Sequence, residues 1–115
     1  MRSGVASVAP GDRLAKAAEL MARLAVRELP VVEDGTLVGI VTRSDLEPHV
    51  GQLEWTPVRM AMTSPATTVE PDASLGTVAR VLIDGRFNGV PVAVDRTLAG
   101  MISRQDLLRA IAAPR

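Results

Sequence analysis

The sequence predicts a mixed α/β (α+β) fold in which two β-α-β-β-α repeats pack around a pseudo-twofold axis. A shift of 61 residues aligns residues 1–46 with residues 62–107 without a gap, and 15 of those 46 positions are identical. The hydrophobic share of 47% is ample for a core in a chain of 115 residues. A repeat of about 50 residues buries too little surface to be stable alone. We therefore expect one module made of repeat 1 (1–46), a linker (47–61) and repeat 2 (62–113).

Each repeat begins with a short β-prone stretch, at residues 6–8 and 67–69, that meets a proline and a turn. A helix follows in both copies, and Asp12 and Ser74 are the residues placed to cap it. Apolar side chains recur at i, i+3, i+4 and i+7 in each helix, which is the spacing of one buried helix face. These positions are Leu14, Ala17, Ala18 and Met21 in the first helix and Leu75, Val78, Ala79 and Leu82 in the second.

A β-hairpin follows each helix. Asp34-Gly35 is a strong signal for a tight hairpin turn, and Asp95-Arg96 is a weaker version of the same signal. The returning strands are almost entirely apolar, which predicts burial on both faces. The expected strands are Leu29–Glu33 and Thr36–Thr42 in repeat 1 and Val90–Val94 and Thr97–Ser103 in repeat 2. A helix closes each repeat; it is regular at Gln105–Ala113 and is interrupted by Pro48 in the first copy.

Composition argues against several classes of function. The chain has no cysteine, one histidine (His49), and 13 basic residues against 13 acidic ones. Thiolate nucleophiles and multi-histidine metal sites are therefore excluded within one chain. The sequence thus lacks side chains that nucleophilic and metal-dependent enzymes commonly use. The zero net charge and the presence of only two aromatic residues argue against a nucleic-acid partner. No apolar run reaches the roughly 18 residues that span a membrane, so we expect a cytoplasmic protein without a membrane partner.

The same motif ends both hairpins: Gly39-Ile40-Val41-Thr42-Arg43-Ser44-Asp45 and Gly100-Met101-Ile102-Ser103-Arg104-Gln105-Asp106. A glycine within a buried strand indicates a bulge or a place where something approaches the backbone closely. The hydroxyl residue stands at a strand-to-helix junction, where free N–H groups and the following arginine would attract a phosphate. The aspartate is suited to accept both O–H groups of a ribose diol. Together these residue types describe a nucleoside-phosphate pocket.

The motif residues also fit a purely structural role. Thr42-x-x-Asp45 and Ser103-x-x-Asp106 have the spacing of a helix capping box, in which the acid accepts the backbone N–H of the capping residue. Because a duplicated segment inherits either use, the repetition does not decide between capping and ligand binding. On motif chemistry alone, both interpretations stay open.

At these residues the chain resembles a tandem pair of cystathionine β-synthase (CBS) domains, a unit often called a Bateman module. The resemblance covers residues 1–113 and rests on the Pro-Val strand, the hairpin turn and the motif. These segments are Leu29-Pro30-Val31-Val32 with Asp34-Gly35 before Gly39–Asp45, and Val90-Pro91-Val92-Ala93 before Gly100–Asp106. The resemblance implies a regulatory module that binds an adenosine-containing ligand in clefts between the two repeats. It also implies a disc-like homodimer, since modules of this family commonly associate in that way.

The family resemblance further implies which residues hold the ligand. AMP, ADP, ATP or S-adenosylmethionine would act as a regulatory ligand, and no cofactor would be required. Asp45 and Asp106 would hold ribose hydroxyls. The residues that would face the phosphates are Thr42, Arg43, Ser44, Ser103, Arg104 and Gln105. The base pocket would draw on Ser7 and Leu29 in one copy and on Thr68 and Val90 in the other.

Several departures from the family pattern bear on the ligand. Gln105 replaces a hydroxyl residue that is frequent at its position, and Pro48 disturbs the helix after the first motif. Some members carry a basic residue two positions before the proline of the Pro-Val strand, where this chain has Glu28 and Gly89. We therefore expect a nucleoside or a monophosphate more firmly than a polyphosphate. The last linker residues, 58–61, are expected to form a helical turn before repeat 2, and repeat 1 has no such segment before it. We therefore expect repeat 1 to be either shortened or preceded by further residues.

Two functions from different classes follow. The first is a sensor that binds an adenosine nucleotide and thereby regulates an effector protein or an attached domain. The alternative is a structural dimerisation module, without a ligand, in which the motifs act only as capping boxes. The doubled motif and the family resemblance favour the sensor, and an enzyme has the least support.

Overall fold

The computed structural model describes residues 5–112, and these fall into two compact units. The first unit comprises residues 6–66, and the second comprises residues 67–112, with which Val5 is grouped. Both units combine helices with one two-stranded antiparallel sheet, which confirms the mixed α+β class. The order of elements is the same in the two units, as the duplication of the sequence predicts.

The helices and hairpin strands occupy the positions that the repeat predicted. In the first unit they are α1 (Leu14–Leu24), β1 (Glu28–Glu33), β2 (Thr36–Thr42) and α2 (Arg43–Leu46). In the second unit they are α3 (Leu75–Gly85), β3 (Gly89–Val94), β4 (Thr97–Ser103) and α4 (Arg104–Ala112). Helix α2 has only four residues and runs into a 3-10 turn at Glu47–His49. The interruption predicted at Pro48 is therefore confirmed.

The β-prone stretch at the start of each repeat pairs at a single residue. Val8 forms an isolated parallel bridge with Val31, and Val69 forms the same bridge with Val92. Val8 bonds to the backbone of β1 on both sides, at 3.1 and 2.8 Å. The prediction of a strand in these stretches is thus wrong in length. The proline two residues later begins a turn and has no N–H with which to extend the pairing.

Each hairpin contains a β-bulge beside the motif glycine. The register of the first hairpin shifts between Val31 and Val32, and the second hairpin has the same shift. A close backbone approach also occurs at Gly39, where a Cβ atom would lie 2.6 Å from Thr63 O. The amide that follows Gly39 donates to this oxygen at 3.0 Å. The prediction of a bulge or a close approach is confirmed, and Gly39 satisfies both.

Both hairpin turns have positive φ at their two central residues, as type I′ turns require. The φ values are 51° at Asp34 and 79° at Gly35 in the first turn, and 48° at Asp95 and 66° at Arg96 in the second. Glycine adopts such a conformation freely, whereas the Cβ atom of arginine makes it sterically unfavourable. The stronger turn signal in the first repeat therefore corresponds to the less strained turn.

The predicted helix faces form the cores of the two units. The fully buried positions on these faces are Leu14, Ala17 and Met21 on α1 and Val78 and Leu82 on α3. Leu75 is the exception, since it is 43% exposed while its repeat counterpart on α1 is fully buried. The prediction that Leu75 belongs to the buried face is wrong, because the segment that covers the start of α1 has no counterpart in the described part of the second unit.

That covering segment comes from the region expected to be a linker. Leu14 N donates to Thr56 O at 2.8 Å, and Ala15 N donates to Leu53 O at 2.9 Å. The first amide groups of a helix have no partner within the helix. Here the carbonyl groups of this segment accept their hydrogen bonds. Val58 is fully buried in the core of the first unit. Residues 53–58 are therefore part of the first unit's packing and of the cap of α1.

Side-chain capping differs between α1 and α3. The cap predicted at Asp12 is wrong, since no side chain caps α1. The Asp12 carboxylate instead accepts from Ala9 N at 2.8 Å and lies 3.3 Å from Lys16 Nζ. The Ala9 amide is the main cause of a lowered pKa of Asp12, and the Lys16 ammonium adds to it. The cap predicted at Ser74 is confirmed, because its hydroxyl accepts from Thr77 N at 3.1 Å.

Candidate functional site

The first motif forms a complete capping box at the start of α2. The Thr42 amide donates to Asp45 Oδ2 at 2.8 Å, and the Asp45 amide donates to Thr42 Oγ1 at 3.2 Å. Thr42 ends β2 in an extended conformation, so its side chain reaches the amide three residues later. Both side chains are half-buried. The capping box predicted from the Thr42-x-x-Asp45 spacing is therefore confirmed.

The second motif repeats this arrangement at the start of α4. The Ser103 amide donates to Asp106 Oδ2 at 2.9 Å, and the Asp106 amide donates to Ser103 Oγ at 3.1 Å. The Ser103 amide is also the main cause of the lowered pKa of Asp106; the Ser103 hydroxyl and Arg109 act in the same direction, and partial burial opposes them. Asp106 is therefore a carboxylate at neutral pH, which is the form that accepts hydrogen bonds from a diol.

Capping leaves part of each motif available to a ligand. Within residues 5–112, the bonds to Asp45 and Asp106 end on Oδ2, and Oδ1 of each accepts none. A carboxylate has about four lone-pair sites, so further donors can be accommodated. The Thr42 and Ser103 hydroxyls accept a backbone bond and keep an O–H to donate. Capping and ligand binding are thus compatible uses of the same residues.

The arginines of the two motifs differ in their contacts. Arg104 Nε donates to Phe87 O at 2.6 Å, and Nη2 donates to Leu82 O at 3.3 Å. These carbonyl groups lie at the C-terminal end of α3, where a cation complements the helix dipole. Arg43 is exposed, and in the described part of the chain its guanidinium has no hydrogen-bond or ion-pair partner. Ser44 and Gln105, which follow the two arginines, are exposed as well.

The four residues expected at the base pocket lie in different environments. Leu29 is 2% exposed and Val90 is 1% exposed, and each belongs to the apolar core of its unit. Their side chains expose very little surface, because they pack into the cores from β1 and β3. Ser7 is half-buried and Thr68 is exposed. The base-pocket role of all four residues stays a prediction, and Ser7 and Thr68 are the two with accessible side chains.

An open groove lies elsewhere in the second unit. It has a volume of about 310 Å³, and none of the predicted site residues lines it. The lining residues are Glu70, Pro71, Asp72, Ala93, Val94 and Asp95. Among the residues that the structure describes, no group of three acidic or histidine side chains is placed to hold a metal ion. No helix in that range is long and apolar enough to cross a membrane.

The fold and the motifs define a class of protein: a tandem pair of small α+β repeats, each with a Thr/Ser-x-x-Asp box where a hairpin meets a helix. The sequence profile of the CBS domain matches residues 1–47 and 58–113. The chain therefore belongs to the CBS domain family, and the resemblance deduced from the motifs is confirmed.

Known members of the family align with nearly the whole chain. The protein MJ1404 of Methanocaldococcus jannaschii is 32% identical over 97% of this chain and 31% of its own length. The CBS domain-containing protein YhcV of Bacillus subtilis is 29% identical over 93% of this chain and 79% of its own. The crystal structure of CBSX2, a CBS-pair protein from Arabidopsis thaliana, in complex with AMP has a TM-score of 0.83 and 29% identity; the alignment covers 96% of this chain and 91% of that one. The chain thus spans about a third of MJ1404 and about four fifths of YhcV.

Proposed function

We propose that the chain is a regulatory module that binds an adenosine-containing ligand, such as AMP, ADP or ATP, at its two motifs. The observation that carries the proposal is the duplicated box. In both copies a carboxylate oxygen and a hydroxyl O–H have no partner within residues 5–112 beyond those of the cap. The AMP complex of CBSX2 supports adenosine nucleotides as the ligand class.

Each motif residue has a role in this proposal that follows from its chemistry. The free Oδ1 of Asp45 and of Asp106 accepts hydrogen bonds from the ribose hydroxyls. Near the phosphates, the first motif offers the hydroxyl groups of Thr42 and Ser44 and the guanidinium of Arg43, and the second motif offers the Ser103 hydroxyl and the Gln105 amide. Arg104 adjoins the second group but donates to carbonyl groups at the end of α3. At the base, Ser7 and Thr68 contribute their side chains, and Leu29 and Val90, which are 2% and 1% exposed, support the pocket from within β1 and β3. No cofactor is required, and the ligand acts as a regulator.

A thermal-shift experiment with three variants tests the proposal. Asp45→Asn and Asp106→Asn keep an oxygen that can cap the helix, but they lose the charge and the second oxygen. Asp12→Asn is a matched control, because Asp12 also accepts a backbone N–H from three residues earlier but lies outside the motifs. A ligand that binds only the folded state raises its melting temperature. We expect AMP to stabilise the wild type and the control, and to stabilise the two motif variants less.

A structural dimerisation module without a ligand is the second candidate function. The completeness of both capping boxes favours it, as does the engagement of Arg104 with α3. In that case the motif variants would lower stability without changing any binding property. Millimolar AMP, ADP, ATP and S-adenosylmethionine would also leave the melting temperature of the folded wild type unchanged, which would contradict the sensor.

The proposal includes self-association and a location. Leu108 and Ile111 on α4 are 63% and 61% exposed, and they provide an apolar surface that a second copy of the chain would cover. We propose a homodimer in the cytoplasm that regulates an effector protein or domain and does not itself catalyse a reaction. Nucleic acids and membranes are not among its proposed partners. Sedimentation velocity would show a dimer in the wild type and a monomer in Leu108→Glu if α4 forms the contact.

A further inference from the structure

The second motif has its arginine engaged with a neighbouring helix. Arg104 Nε and Nη2 donate to Phe87 O and Leu82 O, at 2.6 and 3.3 Å. Nε and Nη2 form one edge of the planar guanidinium, and such an edge is what an arginine uses to bind a phosphate through two parallel bonds. A phosphate that used this edge would have to displace both carbonyl groups of the α3 end.

The first motif has its arginine free. Arg43 is exposed, and among the described residues no acceptor contacts its guanidinium. Its amide donates to Arg27 O at 2.8 Å, so a second arginine adjoins the first motif where the aligned residue of the second unit is Asn88. The Arg43 side chain can therefore turn toward a phosphate without breaking a contact to any residue in the range 5–112.

The acidic residues near the two motifs do not cancel the difference between Arg43 and Arg104. Glu28 pairs with Thr42 across β1 and β2, and its carboxylate disfavours an anion there. The chain brings two arginines, Arg27 and Arg43, to the same end of the hairpin, where their backbones are hydrogen-bonded. In the second unit the corresponding pair is Gly89 with Ser103, which brings no charge. The aspartate is common to both motifs, so what distinguishes the first is the Arg43 guanidinium, which has no hydrogen-bond or ion-pair partner among the described residues.

We propose that the first motif, through Arg43, distinguishes phosphorylated from unphosphorylated adenosine ligands, and that the second motif binds the two alike. This assignment rests on the proposed function and adds a division of roles between the two motifs. Arg104 is then a positioning residue that holds the C-terminal end of α3. The phosphate specificity of the module resides in the first repeat.

Isothermal titration of the full chain with AMP and with adenosine tests the assignment one motif at a time. Asp106→Asn weakens the second motif and reports on the first, and Asp45→Asn does the reverse. With the first motif intact, we expect AMP to bind about tenfold more tightly than adenosine, the worth of one charge-assisted hydrogen bond. With only the second motif intact, the two affinities should agree within about twofold.

Arginine variants then identify the group responsible. In the Asp106→Asn background, Arg43→Gln should remove the preference by weakening AMP binding while adenosine binding is unchanged. Arg104→Gln and Arg104→Lys should leave the ratio of the two affinities unchanged and lower the melting temperature. Lysine keeps the charge there but cannot donate to both carbonyl groups in the same geometry.

Three outcomes would overturn the assignment. A preference for AMP in Asp45→Asn, or its loss in Arg104→Gln, would place phosphate recognition in the second motif and leave the proposed function intact. Equal weakening of AMP and adenosine by Arg43→Gln would show that Arg43 does not recognise the phosphate. If the folded wild type binds neither compound, the proposed function fails, and the assignment fails with it.

Discussion

Each motif aspartate uses its two carboxylate oxygens differently. In Asp45 and in Asp106, Oδ2 accepts the amide of the capping residue, while Oδ1 accepts no bond within residues 5–112. The cap and a bound diol would therefore contact different atoms of one side chain. Because asparagine can still cap a helix, a substitution at these positions separates the contribution to stability from the contribution to binding.

The lowered pKa of Asp106 predicts a dependence of stability on pH in acid solution. A carboxyl whose pKa is lower in the folded state binds more protons in the unfolded state. Its contribution is therefore complete above the unfolded-state pKa and is lost as the pH falls through the folded-state value. Between about pH 5 and pH 2, the free energy of unfolding should decrease more steeply in the wild type than in Asp106→Asn.

Urea unfolding at stepped pH values measures this difference. The two proteins share every other titrating group, Asp12 included, so the difference between their curves isolates Asp106. Parallel curves over the acid range would show that the Ser103 amide does not stabilise the charged form.

For single residues, hydrogen bonds between neighbours in the sequence could be predicted, and hydrogen bonds between distant residues could not. The capping boxes follow from a spacing of three residues, so Thr42-x-x-Asp45 and Ser103-x-x-Asp106 could be identified directly. The contacts of Arg104 join it to carbonyl groups 17 and 22 residues away, and any residue can supply a carbonyl group. No pattern of side chains signals such a contact.

The helices and hairpins were predictable because their signals are periodic and occur twice. The apolar spacing that places Leu14, Ala17 and Met21 in the core of the first unit recurs in α3. The first strand and the cap of α1 were mispredicted for a shared reason. Both depend on backbone partners, in β1 and in residues 53–56, that the local sequence does not specify.

The bulge at Gly39 provides a prediction at the scale of the hairpin. A Cβ atom there would lie 2.6 Å from Thr63 O, so Gly39→Ala forces the paired backbone segments apart. We expect a loss of about 1–3 kcal/mol in the free energy of unfolding, which is typical of overpacking. Urea unfolding monitored by circular dichroism measures this loss.

Gly11→Ala is the matched control for this substitution. A Cβ atom at Gly11 would meet nothing within 4 Å, so its effect should stay within about 0.5 kcal/mol. Equal effects of the two substitutions would show that the close approach to Thr63 O does not constrain the hairpin.

The duplication produced two units that share one order of elements but differ in their caps, in the length of the closing helix and in the contacts of the motif arginine. The first unit gains a cap and a buried Val58 from residues 53–58, while α4 is the longer closing helix and belongs to the second. The difference between Arg43 and Arg104 belongs to the same divergence. Two motifs that align in sequence are therefore expected to differ in what they bind.

The size of the relatives bears on what the module would regulate. The chain corresponds to about a third of MJ1404 and to most of YhcV, so similar CBS pairs occur both within longer proteins and nearly alone. For the proposed sensor, binding of an adenosine nucleotide would act either on an attached domain or on a separate effector. Either route first requires that the two motifs bind the ligand.

A calorimetric titration of AMP into the wild type and into the double variant Asp45→Asn/Asp106→Asn tests that requirement most directly. We predict saturable binding to the wild type, and a loss of most of that binding in a double variant that still unfolds cooperatively. Asp12→Asn should bind like the wild type. An absence of binding to the folded wild type at millimolar AMP, or equal binding by the double variant, would contradict an adenosine-sensing function for the two motifs.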